Sequence, residues 1–197
     1  LLRQRSLVGV LTIASLRNLG VSATVIFLPI YLREDLEYSI TKVAIYLSLS
    51  QVAGIVAQPA MGILSDKFGR KAVLVPSLLI FGVLLFALSY AQSELWLIII
   101  IIALGAFLYS LHALFLATAA DLSGENLQAT TASLTYGVTF ISSTVSPLVA
   151  GLIADQFSVS YVFTYSSFIS IIAGISLYFL SISNPPSNNT KLNQEHI

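Results

Sequence analysis

The sequence predicts an all-α membrane protein whose six transmembrane helices form a 3+3 inverted repeat. Three observations carry that prediction: the composition, six apolar runs of membrane-spanning length, and a motif that recurs once. Of 197 residues, 9% are charged and 56% hydrophobic, with a mean hydropathy of +0.89. An ordinary soluble domain is about a quarter charged, and so few charges cannot cover a water-facing exterior. The body of the chain is therefore embedded in lipid. Nine Lys and Arg balance nine Asp and Glu, which argues against the clustered basic surface that nucleic-acid binding needs. There is no cysteine, so disulfides, thiol chemistry and thiolate metal sites are excluded. His112 and His196 are far apart and form no metal-ligand spacing; neither a metal nor a cofactor is expected.

A helix needs about 20 apolar residues to cross the hydrocarbon, and lipid leaves the backbone no other partners. Six segments qualify, at about 7–31, 41–64, 72–90, 95–119, 129–154 and 160–182. The first opens on LLRQRSLVGVLTIASL, which has the basic start and apolar centre of a signal peptide. Arg17 and Asn18 interrupt it, however, and apolar character continues to Tyr31, so a span accounts for the whole segment. The second follows REDLEYS, with Ser39 placed to cap it. The third follows DKFGRK and carries almost no polar side chain in AVLVPSLLIFGVLLFALSYA. The fourth follows AQSE, the fifth DLSGENLQ, and the sixth QFSVS, with Ser160 as its expected N-cap. No ten-residue unit alternates at period two, as a membrane β-strand would. Residues 1–182 thus form the membrane body, with repeats at about 7–90 and 95–182. SNPPSNNTKLNQEHI, 183–197, is expected to be a disordered tail. The chain opens on Leu1 and its one methionine is Met61, so it is expected to be a fragment of a longer protein.

Orientation follows from Lys and Arg near the span ends. Arg3, Arg5, Lys67, Arg70, Lys71 and Lys191 fall on one side, and Arg33 and Lys42 on the other. Six against two places both termini, and the loop between spans 2 and 3, in the cytoplasm.

GILSDKFG at Gly62 recurs as GLIADQFS at Gly151, 89 residues later, with Gly, Asp and Phe in register. Pro59 precedes one copy and Pro147 the other. Each copy ends the middle span of a three-span set, and three being odd, the sets run in opposite directions. Secondary transporters use this arrangement. Gly151 and Asp155 keep the pattern of Gly62 and Asp66 but lack the basic residues, as a loop on the other side of the membrane would.

Gly62, Asp66, Lys67, Gly69, Arg70 and Lys71 together resemble the signature loop of the major facilitator superfamily, between the second and third helices of a six-helix half. NLQATTASL is similar to that family's segment before the fifth helix, without its usual basic residue. GLIADQFSVSYVF is similar to drug-efflux and fosmidomycin-resistance-type members. The resemblance implies a C-terminal six-helix half, partnered by the N-terminal half of the same transporter, that moves a small molecule by alternating access. Efflux, as an antiporter, through a bacterial or archaeal plasma membrane is the expected setting. The resemblance further implies that Asp66 and Arg70 act as a conformational latch on the cytoplasmic side. Anchoring of topology by positive charge is the competing account.

Arg17 lies near the centre of span 1, where a charge costs about 2.5–3.5 kcal/mol on insertion scales. It must face a cavity or a partner. With Asn18 it is expected either to contact an anionic or polar substrate group or to hold helices together through a buried pair or carbonyl contacts. Gln51 and Gln58, seven apart on span 2, share a face that lines a cavity or bonds a neighbouring helix. Tyr109 and His112, three apart on span 4, also share a face; His112 is a proton-linked group or a hydrogen-bonded structural one. No carboxylate lies at mid-membrane, so proton coupling would use His112 or an acid of the other half. Family architecture puts spans 3 and 6 on the lipid side, which the serines of span 6 fit less well than the polarity of span 3. An intramembrane enzyme would need paired acids, a nucleophile or clustered ligands, which the chain lacks. The alternatives to a transporter half are a six-helix homodimer and a non-transport assembly or enzyme component.

Overall fold

The structure, a computed structural model, describes residues 5–91, 93–123 and 127–181. The expected tail at 183–197, Arg3 and Lys191 lie outside them. All six expected spans are helices long and apolar enough to cross a membrane. They are α1 (Arg5–Ile30), α2 (Ile40–Phe68), α3 (Arg70–Ser89), α4 (Glu94–Ser123), α5 (Gln128–Gln156) and α6 (Val159–Phe179). Among the described residues there is no strand.

Several helices outrun their apolar segments. α2 continues through Ser65, Asp66 and Lys67, and α4 through Asp121 to Ser123, because a polar last turn is still a helical turn. The expected loop DKFGRK therefore shrinks to one connecting residue. Gly69 takes φ 95° and ψ 147°, and its N–H caps α2 by donating to the Ser65 carbonyl at 3.0 Å. Only glycine adopts such a backbone without strain. REDLEYS is likewise shorter as a loop than expected. α1 runs on into a π-helical turn, Tyr31–Asp35, closed by Leu36 N–H to the Tyr31 carbonyl at 3.1 Å, with Glu37 beyond it at φ 53°. Ser39 caps α2 as expected, accepting from the Lys42 N–H at 3.3 Å. Ser160 is not an N-cap. α6 starts two residues earlier than that cap requires, Ser158 holds the position, and the two hydroxyls bond each other at 2.7 Å.

α3 packs along α6, α1 against α5 and α6, and α4 against α2 and α3. The core lies where α1, α3, α4 and α6 meet, around Leu78, Phe81, Leu85, Phe115, Phe163 and Leu177. The serines of α6 face this interior. Ser166, Ser167 and Ser170 are buried, and Ser167 Oγ donates to the Gly82 carbonyl at 2.7 Å. Small residues let helices approach closely in lipid, where apolar burial drives nothing; a Cβ on Gly20 would come within 2.9 Å of the Ser166 carbonyl oxygen. The outward side of α3 and α6 is apolar, with Ile80, Val83, Phe86, Phe168 and Ile172 exposed.

α2 and α5 are the barest helices. Only 17% and 22% of their apolar windows are buried, against 44–50% for the other four. Ile55, Val56 and Ile63 on α2, and Phe140, Ile141 and Leu148 on α5, stand exposed. Gly62, Gly137 and Gly151 lie on the same two helices, and a Cβ added to any of them would meet nothing.

Candidate functional site

Consecutive residues of a helix point about 100° apart, so Arg17 and Asn18 serve different neighbours of α1. Arg17 is buried, 2% exposed, and its Nη2 donates to the Leu108 carbonyl of α4. Asn18 turns to α5, where Nδ2 donates to the Thr139 carbonyl and to Ser143 Oγ, both at 2.7 Å. It belongs to a longer polar seam. Ser15 Oγ meets Ser142 Oγ at 2.5 Å, Ser22 donates to the Ser143 carbonyl at 3.2 Å, and Ser146 donates to the Leu19 carbonyl. Both residues thus hydrogen-bond carbonyls of neighbouring helices.

Beside them is a cavity of about 400 Å³ lined by Arg17, Asn18, Gln58, Tyr109 and His112, with Val21, Val25, Leu108 and Ala113 as apolar wall. Three helices, α1, α2 and α4, thus bring together five residues singled out in the sequence. Gln51 does not join them. It opens on an adjoining cavity of about 120 Å³ with Thr24 and Ser50, which shares Val25, Leu108 and Tyr109 with the first. Seven residues is nearly two helical turns, a rise that separates the two glutamines along the axis although they share a face. Gly54 and Gly105 allow α2 to sit close on α4 here: a Cβ on Gly54 would lie 3.0 Å from the Gly105 carbonyl oxygen. His112 stacks obliquely on Tyr136 of α5, centroids 5.6 Å apart, and Tyr136 on Phe140 at 6.4 Å. The i, i+4 spacing of Tyr136 and Phe140 was the sequence signal for this aromatic file.

At the Gly69 end, Arg70 is the centre of a charged cluster. It pairs with Asp66 at 2.7 Å and Asp121 at 2.9 Å, and donates to Ser65 Oγ at 2.5 Å. Each charge alone sits at the wrong end of its helix. Asp66 and Asp121 occupy the last turns of α2 and α4, where the dipole disfavours anions, and Arg70 opens α3, where it disfavours a cation. Pairing offsets all three. For Asp121 the sequence clue was an acid near a span end, in a helix's last turn, where a cation is needed nearby. Lys71 donates to the Leu180 carbonyl beyond α6 at 2.8 Å. Lys67 lies over the Phe68 ring at 5.4 Å and makes no ion pair among the described residues.

The second copy of the motif is built differently. Asp155 is exposed in the last turn of α5 and has no ion pair among the described residues. Ser158, 89 residues after Gly69, is extended, at φ −169°. At the end opposite Gly69, Lys42 and Glu94 pair at 2.7 Å, Tyr46 Oη donates to Glu94 at 2.8 Å, and Lys42 lies 3.7 Å above the Tyr38 ring. Ion pairs therefore clip α2 near both of its ends, to the start of α4 directly and to its end through Arg70. Among the described residues no cluster of His, Asp or Glu could hold a metal ion.

Residues 10–196 match the Major Facilitator Superfamily. The chain belongs to that family. An uncharacterized transporter of this superfamily's type from Methanocaldococcus jannaschii is 35% identical over 123 residues, which is 60% of this chain and 30% of the relative. The multidrug resistance efflux pump PmrA of Streptococcus pneumoniae is 27% identical over 171 residues, 84% of this chain and 42% of PmrA. The multidrug resistance protein MdtG of Proteus mirabilis is 29% identical over 182 residues, 87% of this chain and 44% of MdtG. The chain thus spans less than half the length of the curated relatives it matches. The Major Facilitator Superfamily is a family of membrane transporters, not of enzymes, and the six-helix architecture agrees with membership in it.

Proposed function

We propose that this chain is one six-helix half, the C-terminal one, of a secondary active transporter. It exports a small molecule by alternating access from a bacterial or archaeal plasma membrane. The observation that carries this is the cavity in which Arg17, Asn18, Gln58, Tyr109 and His112 converge within membrane-spanning helices. Such a cavity, polar at a few points and apolar elsewhere, has the make-up of a small-molecule site. The efflux pumps among the relatives support the direction of transport. The inverted repeat is supported by the packing: exchanging α1–α3 with α4–α6 maps the contacts α2–α4, α1–α6 and α3–α6 onto α5–α1, α4–α3 and α6–α3.

The bare faces of α2 and α5, with their open glycines, suit the close approach of the other half. The Gly69 end faces the cytoplasm under the positive-inside bias, and both termini lie on that side. There Asp66, Arg70 and Asp121 form a latch that stabilises one of the two access states. His112, half-buried in the cavity wall, is the candidate proton-linked group on this half.

The test is uptake into inside-out vesicles holding the full-length protein, with a panel of radiolabelled drug-sized solutes and an imposed proton gradient. Concentrative uptake of at least one solute is expected. Failure of the whole panel, with correct membrane insertion, overturns transport by this protein. Activity from vesicles that hold this chain alone would establish a homodimer instead.

A further inference from the structure

The guanidinium of Arg17 has five N–H donors and no acceptor capacity. In this structure it makes one hydrogen bond, to the Leu108 carbonyl, and its buried Nε has no partner among the described residues. The side chain is 2% exposed and takes part in no ion pair among the described residues. Among the described residues no carboxylate lines the cavity it borders, whose other polar groups, on Asn18, Gln58, Tyr109 and His112, are neutral or, for His112, basic. A buried cation without a counter-charge is costly, because water is excluded and one carbonyl dipole does not replace its hydration. A protein keeps such a residue where something else supplies the charge. Arg17 itself lines a cavity of about 400 Å³. That volume lies within the range of ligand pockets, about 300–1,000 Å³, and admits a small aromatic or branched acid.

The geometry points to an anionic substrate: a small organic acid whose carboxylate, phosphonate or sulfonate completes the charge of Arg17 while Tyr109 and the apolar wall hold its carbon body. This rests on the assignment of the cavity as the substrate site. Asn18 contributes less to recognition than its position suggests, since its Nδ2 is already spent on α5.

Benzoate, benzamide and benzylamine share one ring and differ in charge, which makes them the probes. Their binding to the full-length protein in nanodiscs is read from the shift in thermal unfolding midpoint, which needs no turnover. Benzoate is expected to bind more tightly than benzamide by about tenfold or more, the worth of one hydrogen bond to a charged group, and benzylamine not to bind. Arg17→Gln should abolish the difference and Arg17→Lys restore part of it. Equal shifts with all three probes overturn the proposal. So does the absence of a benzoate shift in the wild-type protein, as would follow if an acid of the other half neutralised Arg17. The wild-type comparison stands even where Arg17→Gln does not fold. Charge-selective binding without any vesicle transport would refute the transport function and leave the anion site in place; transport of neutral solutes without benzoate binding would do the reverse.

Discussion

Two residues show how much one side chain decides. At Gly69 the helix-to-helix turn needs φ 95°, a conformation that costs a residue with a Cβ about 1–3 kcal/mol. Gly69→Ala should lower the unfolding midpoint of the full-length protein by that equivalent, measured in detergent or nanodiscs. At Arg70 the pairs are partly exposed, with Asp66 67% and Asp121 30% accessible at the side chain, so each contributes about 1 kcal/mol or less to stability. A latch would nevertheless reveal itself in transport. Asp66→Asn and Asp121→Asn are expected to leave insertion and folding near normal and to slow export several-fold, by shifting the balance between access states. Unchanged export from both variants would reduce the cluster to a topology anchor. Gly62 through Lys71 were legible as a motif because their spacing is local. Asp121 was not, because its partner lies 51 residues away, and no local pattern reports a contact that only packing creates.

The helices themselves differ in how they are held. α1 and α5 are tied by hydroxyl and amide hydrogen bonds, whereas α2 and α4 meet through Gly54, Gly105 and Ser50 and are clipped by charge near their ends. Interhelical hydrogen bonds in membranes are worth about 0.6 kcal/mol on average and 1.7 at most, so Asn18→Ala, which removes two, should cost about 1–3 kcal/mol. Gly105→Val should do more, since its added atoms meet the Ser50 backbone carbonyl, which cannot rotate away. It is expected to separate α2 from α4, to reshape both cavities and to abolish transport, with expression reduced but detectable on an immunoblot. The six spans were readable from hydropathy, because crossing lipid demands an apolar run. Their ends were not. Hydropathy registers where lipid stops, and α2 continues four residues past that point into Ser65–Phe68. Ser158 and Ser160 posed the same difficulty on a smaller scale, two capping residues one helical step apart from either side of the true start.

For the whole molecule, the uneven burial of the six helices is decisive. α1, α3, α4 and α6 build a common core, while α2 and α5 leave long apolar faces that carry open glycines, and α2 borders both polar cavities. Lipid can cover the apolar part, but it satisfies neither Gln51 and Gln58, which are exposed on α2, nor the charge of Arg17. The chain expressed by itself is therefore expected to aggregate on extraction, and co-expression with the proposed other half to give a monodisperse peak in size-exclusion chromatography. A monodisperse six-helix species in the absence of any other chain would refute that expectation.

The one-residue connection at Gly69 also bears on how the protein is made. With no slack between them in the folded protein, α2 and α3 are expected to enter the bilayer as a closed hairpin, with Lys67, Arg70 and Lys71 together at its tip. On that route the side on which the tip stays would be settled once, for both helices, under the pull of three positive charges.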